Sequence, residues 1–304
     1  MSVTPPSRRS SRELLRPEVL ASLKNLDLVA RAVVEGTMIG LHRSPKFGFS
    51  QEFAEYKAYT EGDDPRFIDW NVFARTGRTY IKRFQGDTNS HLMILMDASA
   101  SMGFGGPHLT KLRYAQFLAA SLAFLATRQH DAVGCMVFDE EIRDYRAPSS
   151  RSGKLQSILH CLDGAVPATG TKFDKPFQKF REQMTRRGLV AVISDFYCDI
   201  EELLQGVRPL AWQGQDVVVF QVLDTEELDP QISTNVLLQD VETGEAVEVA
   251  PQFMRDAYPG RICAHIDDLK SAAASIGADH VLVNTSDSLD SAIRNYLLFR
   301  QRRK

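Results

Sequence analysis

Five apolar runs in the second part of the chain constrain the fold more than any other sequence feature. They are rich in Val, Ile and Leu and show little polar alternation, which is typical of strands buried on both faces of a parallel sheet. Helix-like segments alternate with them, and such alternation gives right-handed crossovers and a doubly wound, mostly parallel α/β sheet. The runs lie at residues 92–97, 132–138, 189–194, 216–224 and 280–284, and the helical segments at about 110–128, 152–162, 174–187, 199–209, 265–276 and 287–302. Residues 235–249 predict a β-hairpin.

The chain before residue 91 has a different character. Pro, Ser and Arg dominate its start, which predicts a disordered arm over residues 1–16. Pro17 and the helical spacing of the leucines and valines after it predict a helix at about 17–35. Residues 36–90 mix Gly, aromatic residues and both charge signs without periodicity, so we expect an irregular β-rich piece. The predicted division is therefore 1–16, 17–90 and 91–304.

Composition excludes several classes of protein. The net charge of the 304 residues is −3, which provides no global electrostatic case for binding nucleic acid or a membrane. The four cysteines are widely spaced and form no CxxC pair, which argues against a zinc ribbon. No run approaches the roughly 20 apolar residues of a membrane span, and the start has no apolar signal segment. We therefore expect a cytoplasmic protein.

A polar motif follows the first of the apolar runs. The sequence after LMILM is Asp97-Ala98-Ser99-Ala100-Ser101. Ligands of open α/β sheets bind beyond the carboxyl ends of the strands, which is where this motif lies. Alternate spacing can direct the oxygens of Asp97, Ser99 and Ser101 to one point, and such oxygens suit Mg²⁺ or Mn²⁺.

The motif resembles the DxSxS signature of the metal-ion-dependent adhesion site in von Willebrand factor A domains. That site draws on two further loops, which are matched here by Thr171 in ATGTKF and by Asp195 after LVAVIS. The resemblance implies a metal site at Asp97, Ser99, Ser101, Thr171 and Asp195, with one open position for a partner's carboxylate. Thr169 stands where many relatives have glycine, so either threonine could reach the ion.

Two other interpretations of the motif stay open. DASAS could be a serine-rich turn that caps a helix, although Thr171 and Asp195 in the expected order argue against this. Asp97 could instead be a nucleophile, as in haloacid-dehalogenase-type phosphatases. Those enzymes carry a second aspartate two residues further on, and this chain has Ser99 there.

A long ordered block over residues 42–86 resembles bacterial proteins of the "domain of unknown function fifty-eight" family. Members of that family couple this block to a von Willebrand A-like domain and are commonly encoded beside MoxR-type AAA+ ATPases. Many carry membrane helices before the block, and this chain shows none. The matching words include Glu52-Phe53, Gly62-Asp63-Asp64-Pro65-Arg66, Ile68-Asp69-Trp70, Ala74-Arg75-Thr76 and Lys82.

The block itself permits two interpretations. Its Gly-Asp-Asp-Pro turn, an Arg66–Asp69 pair and the large side chain of Trp70 favour a role in holding a small β-rich core together. A basic stretch at 75–83 with interleaved aromatic residues could instead bind nucleic acid. Its members are Arg75, Arg78, Lys82 and Arg83.

Together these features predict a non-catalytic, metal-dependent protein-interaction module. The predicted partner is a protein that offers a carboxylate, a MoxR-type AAA+ ATPase or its client. A metal-dependent phosphoester hydrolase and a nucleic-acid binder are the alternatives.

Overall fold

The computed structural model of the protein describes residues 16–23, 25–42, 53–60, 68–84, 91–106, 109–168, 170–184, 186–240 and 244–302. The chain divides into two units. The smaller is Met38–Asn89, and the larger joins the residues up to Thr37 with those from Ser90 onward. The sequence-based division differs from this clustering, because it places the N-terminal helix with the β-rich segment.

Two helices stand where the sequence predicts a single one. Helix α1 (Pro17–Ala21) ends before helix α2 (Leu26–His42) begins. The break has a local cause, because short polar side chains compete for backbone groups there. Ser22 donates its hydroxyl to the Val19 carbonyl, and the Asn25 side chain accepts the amide of Asp27 at the start of α2. The expectation of one helix over 17–35 is therefore wrong.

The small unit contains a strand pair and a short helix. Strand β1 (Phe53–Ala58) pairs antiparallel with β2 (Tyr80–Phe84), and helix α3 (Trp70–Thr76) lies between them in sequence. Asp69 caps α3 by accepting the amides of Asn71 and Val72. Gly77 ends the helix with a φ of +66°, a conformation that glycine adopts without steric cost.

Some of the predictions for this unit need correction. Trp70 does not anchor a core, because it begins α3 with 63% of its surface exposed. The sequence does not predict helix α3, because it suggests only an irregular β-rich piece over residues 36–90. The Gly-Asp-Asp-Pro turn and Arg66 lie outside the described residues, and so do the side chains of Lys82 and Arg83.

The large unit is built from alternating strands and helices. In the order of the chain they are β3 (His91–Asp97), α4 (Lys111–Arg128), β4 (Ala132–Phe138), β5 (Ile142–Ser149), α5 (Lys154–Asp163), α6 (Asp174–Gln183), β6 (Leu189–Ser194), α7 (Ile200–Trp212), β7 (Asp216–Leu223), α8 (Thr225–Leu228), β8 (Val236–Gln239), β9 (Ala246–Val249), α9 (Pro251–Asp256), α10 (Tyr258–Ser275), β10 (Asp279–Asn284) and α11 (Leu289–Arg302). The antiparallel pair of β8 and β9 is the hairpin predicted at 235–249.

Six strands form the central sheet in the order β10-β7-β6-β3-β4-β5. Neighbours pair in parallel except β4 and β5, which pair antiparallel. The predicted doubly wound, mostly parallel α/β fold is confirmed. Because the chain continues from β3 to β4 on one side and returns to β6 on the other, the direction of winding reverses beside β3. Such a switch point opens a crevice at the carboxyl ends of the strands.

Buried side chains of the core pack around the strand ends that border this crevice. Six of the seven residues of β3 are buried, as are most of those of α4. Four phenylalanine rings pack with centroid separations of 5.4–5.8 Å beside the strand ends. They come from three segments of the chain and hold the loop before α6 against the loop after β6; they are Phe138, Phe173, Phe177 and Phe196.

Candidate metal centre

Asp97 is the last residue of β3, and its carboxylate is completely buried. Its Oδ1 accepts the backbone amide of Ser99 at 2.8 Å. Its Oδ2 accepts the hydroxyl of Ser194 at 2.6 Å, and the hydroxyl of Thr171 lies 3.4 Å from the same oxygen. Three loops therefore meet at one carboxylate: those after β3 and β6 and the one before α6.

The two serines of the motif point to the same place. Ser99 is buried, Ser101 is partly buried, and their Oγ atoms are 3.0 Å apart. Two neighbouring oxygens around an octahedral Mg²⁺ with ligands at about 2.0–2.1 Å are separated by roughly 2.9 Å. The separation of the two hydroxyls, which is that of a hydrogen bond between them, is compatible with such an ion.

Asp195 follows β6 and is also buried. Burial raises the pKa of the Asp97 carboxyl, and the charge of Asp195 adds to this effect. The next residue, Phe196, has a φ of +56°, which is uncommon for a residue other than glycine. The Phe196 ring stacks on Phe173 with the centroids 5.8 Å apart, and backbone conformations of this kind concentrate at functional sites.

Sequence reasoning missed Lys111, the first residue of α4. Its ammonium is 2.7 Å from Oδ2 of Asp195 and 2.6 Å from Oε1 of Glu227, and its side chain is 1% exposed. The ring of Tyr197 lies beside it, with the centroid 4.9 Å away. The sequence contains one indication of this contact. A lysine in the first turn of a helix interacts unfavourably with the helix dipole, so a compensating acidic partner is expected.

Glu227 was missed as well. It belongs to α8, the short helix after β7, and forms a capping box with Asp224. Its Oε2 accepts the Asp224 amide at 2.8 Å while its Oε1 faces Lys111. Asp195 and Glu227 face the Lys111 ammonium, and the charge of Asp195 in turn acts on Asp97. When Asp97 is ionised, these four groups carry a net charge of −2 in a buried place.

The electrostatics of Asp97 reflect that excess. Burial is the main cause that raises the pKa of its carboxyl to about 7, and the neighbouring Asp195 adds to the effect. The hydroxyls of Ser194 and Ser99 and the Ser99 amide act in the opposite direction. A buried carboxylate with an unfavourable charged form is the kind of group that a cation stabilises.

The residues fit a divalent metal ion. They offer carboxylate and hydroxyl oxygens, which hard cations such as Mg²⁺ prefer, and the excess of negative charge matches the charge of the ion. Asp97, Ser99, Ser101 and Thr171 come together directly, whereas Asp195 is held by Lys111. The metal-binding role of the five residues stays a prediction. Thr169, the alternative to Thr171, lies outside the described residues.

The strand order, the reversal of winding beside β3 and the strand-end cluster define a von Willebrand A-like α/β protein. Within the described part of the chain, no helix combines the length and the apolar character that crossing a membrane requires.

The sequence also matches the model of the family described as "Protein of unknown function DUF58" over residues 55–266, and the chain belongs to this family. Similar proteins include uncharacterised proteins of Mycobacterium tuberculosis and Mycobacterium bovis. Each is 26% identical over 291 residues, which are 94% of this chain and 91% of the relative.

Solved structures of related architecture have low similarity to this chain. BatB from Bacteroides thetaiotaomicron has a TM-score of 0.47 and 17% identity, over 70% of this chain and 99% of its own. An aerotolerance-related membrane protein from Bacteroides fragilis has a TM-score of 0.45 and 17% identity, over 68% and 97%. The von Willebrand A domain of SpRpn10 has a TM-score of 0.38 and 14% identity, over 68% and 94%.

Proposed function

We propose that the protein is a non-catalytic interaction module that binds a carboxylate of a partner protein through a divalent cation. The observation that supports this most strongly is the buried oxygen cluster around Asp97 at the carboxyl edge of the sheet. A bound Mg²⁺ or Mn²⁺ would supply a coordination position that the partner's carboxylate fills. Asp97, Ser99, Ser101 and Thr171 would hold the cation, with Asp195 beside them.

The protein residues have distinct tasks in this proposal. Ser194 and the Ser99 amide fix the orientation of the Asp97 carboxylate by donating hydrogen bonds to separate oxygens. The buried surroundings strengthen every electrostatic interaction at the site, because little water screens them. A partner carboxylate that enters from solvent also loses its hydration, so its attraction to the cation must exceed that desolvation cost.

The surface next to the site can receive more of the partner. A cavity of about 360 Å³ is lined by residues of α8, α10 and the loop after β6. Glu227 and Tyr197 contribute both to this cavity and to the surroundings of Lys111. Its aromatic rings and the Arg261 side chain could contact the residues that flank the partner's carboxylate.

The proposed partner is a MoxR-type AAA+ ATPase or its client, because the family resemblance implies that pairing. The experiment measures binding of the purified ATPase from the same genome in Mg²⁺ and in EDTA. We expect binding in Mg²⁺, and its loss both in EDTA and with Asp97→Ala. Asp256→Ala, at an exposed carboxylate of α9, is the control and should bind as the wild type does. Equal binding by Asp97→Ala and wild type would falsify the proposal.

A metal-dependent phosphoester hydrolase is a second candidate, and one observation favours it. Asp195 acts electrostatically on Asp97 and pairs with Lys111 at 2.7 Å, and a second carboxylate with its ammonium could assist a nucleophilic aspartate. Both groups are bonded to each other, so neither is free as an acid or base. Hydrolysis of generic phosphoesters that disappears with Asp97→Asn would favour this candidate over the first.

A further inference from the structure

The contacts of Lys111 differ from those of an ordinary buried ion pair. Its single ammonium bridges two carboxylates that follow adjacent strands, Asp195 after β6 and Glu227 after β7. The two N–O distances are 2.7 and 2.6 Å, so neither carboxylate is clearly the preferred partner. The aromatic rings of Phe104 and Tyr197 lie near the ammonium and limit its contact with water.

The two carboxylates are anchored in different ways. Glu227 is held independently of Lys111, because its Oε2 accepts the Asp224 amide and its backbone carbonyl accepts the Tyr258 hydroxyl at 2.7 Å. Within the described part of the chain, the Asp195 carboxylate accepts, besides Lys111, only the Tyr197 amide at a long 3.3 Å from its Oδ1, and it lies near the charge of Asp97. Glu227 is therefore a fixed acceptor, whereas Asp195 is the carboxylate that two cations would share.

A lysine ammonium and a divalent ion cannot both neutralise Asp195 without repelling each other. An ammonium is a compact point charge on a flexible stem, so it can change partners by rotation of the side chain. Glu227 offers such a partner without rearrangement of the backbone. The geometry thus contains a cation that could compete with the metal, Lys111, and a second carboxylate that could hold this cation, Glu227.

We propose that Lys111 is a tethered counter-cation that competes with the divalent ion for Asp195 and that Glu227 accepts Lys111 when the ion binds. The strength of the Lys111–Glu227 pair then sets the metal affinity of the site. This inference rests on the metal-binding part of the proposed function. It adds Lys111 and Glu227, which lie outside the five site residues predicted from the sequence.

The test compares Mn²⁺ binding, measured by isothermal titration and by the electron paramagnetic resonance of free Mn²⁺, in four purified proteins. These are wild type, Glu227→Gln, the double variant Lys111→Met/Glu227→Gln and the control Lys179→Met on an exposed face of α6. The double variant removes one positive and one negative charge together, so the fold retains its charge balance. Circular dichroism checks that each protein is folded.

The expected results differ in sign. Glu227→Gln leaves Lys111 to Asp195 alone and should weaken Mn²⁺ binding by about tenfold, whereas the double variant frees Asp195 and should bind about tenfold more tightly than wild type. Lys179→Met should bind as wild type does. Affinities of the double variant and the wild type that agree within about twofold would overturn the inference, since tenfold corresponds to ~1.4 kcal/mol.

The remaining outcomes separate this inference from the proposed function. Binding by the double variant without binding by the wild type would support competition by Lys111 while contradicting metal dependence of the natural protein. Binding by the wild type that ignores Lys111 and Glu227 but requires Asp97 would overturn the inference alone. Absence of binding in all four proteins would overturn both.

Discussion

Replacement of Asp97 by asparagine should stabilise the metal-free protein at neutral pH, although it removes a proposed metal ligand. The carboxylate is buried, and its charged form is opposed by burial and by Asp195. An amide of the same size retains an oxygen for the Ser194 and Thr171 hydroxyls but carries no charge. The variant therefore removes the electrostatic cost and keeps the hydrogen bonds to Oδ2, but its NH2 group faces the Ser99 amide, which loses its acceptor.

The magnitude follows from the pKa of Asp97, which rises from 3.8 to about 7 in the folded protein. One pKa unit corresponds to about 1.4 kcal/mol, so the charged carboxylate destabilises the metal-free fold by at most roughly 4 kcal/mol. Structural relaxation, water penetration and the unpaired Ser99 amide reduce this value, and we expect a gain of about 1–3 kcal/mol for Asp97→Asn. For a chain of this size the gain corresponds to roughly 2–5 °C in Tm.

The pH dependence has a definite sign. Between the unfolded pKa of 3.8 and the folded pKa of about 7, the native Asp97 carboxyl holds a proton that the unfolded chain has released. Wild-type stability therefore falls as pH rises through this window, and the advantage of Asp97→Asn grows from nothing near pH 4 to its full value above pH 7.

Urea denaturation in EDTA between pH 4.5 and 8 measures this difference. Asp139→Asn is the matched control, because Asp139 follows β4 as a completely buried carboxylate but pairs with Arg143 at 2.5 Å. Loss of that ion pair should destabilise the control by about 1–2 kcal/mol. The reasoning is refuted if Asp97→Asn is less stable than wild type at pH 8 without metal.

Three further predictions concern stability. Gly134→Ala should cost more than ~2 kcal/mol in urea denaturation, because its Cβ would lie 2.6 Å from the Arg146 carbonyl and 2.8 Å from the Pro148 nitrogen on β5. Gly260→Ala, in α10 with no atom within 4 Å of the added Cβ, should instead gain about 0.5–1 kcal/mol, and equal effects would contradict the packing of β4 against β5. Lys111→Met alone should cost about 3–5 kcal/mol, since two buried carboxylates lose their cation, and a neutral result would show that the ion pairs do not form. His280 should lower the stability of the protein in acid, because burial and, to a lesser extent, Lys270 lower the pKa of its imidazole from 6.5 to about 4. Stability is then lost as pH falls from about 6.5 to 4, and His280→Gln should remove about 1–2 kcal/mol of that loss after allowance for partial exposure, measured by urea denaturation across this range; parallel curves for both proteins would contradict it.

The sheet could be predicted because its parallel strands are buried on both faces. Each must then be continuously apolar, and β3, β4, β6 and β7 stand out for that reason. Strand β5 could not be predicted in this way, because it lies at the edge of the sheet, pairs antiparallel and has the partly exposed polar sequence IRDYRAPS. The break between α1 and α2 could not be predicted, because the hydrophobic spacing continues across it. Side-chain hydrogen bonds of Ser22 and Asn25 determine the backbone conformation there.

The candidate site divides in the same way. Asp97 and Asp195 could be predicted because parallel topology places the ends of β3 and β6 side by side. Lys111 and Glu227 are 116 residues apart in the sequence, and no local sequence pattern predicts that they form an ion pair. Their contact depends on where α4 starts and on the short helix after β7, and these are properties of the folded chain.

The central claim is that a buried oxygen cluster at the end of β3 binds one divalent cation. Titration of Mn²⁺ into the purified protein, with binding followed by calorimetry, tests it most directly. The account predicts one ion for each chain, complete loss with Asp97→Ala and unchanged binding with Asp256→Ala. Absence of Mn²⁺ binding by the wild type, or binding that persists in Asp97→Ala, would contradict it.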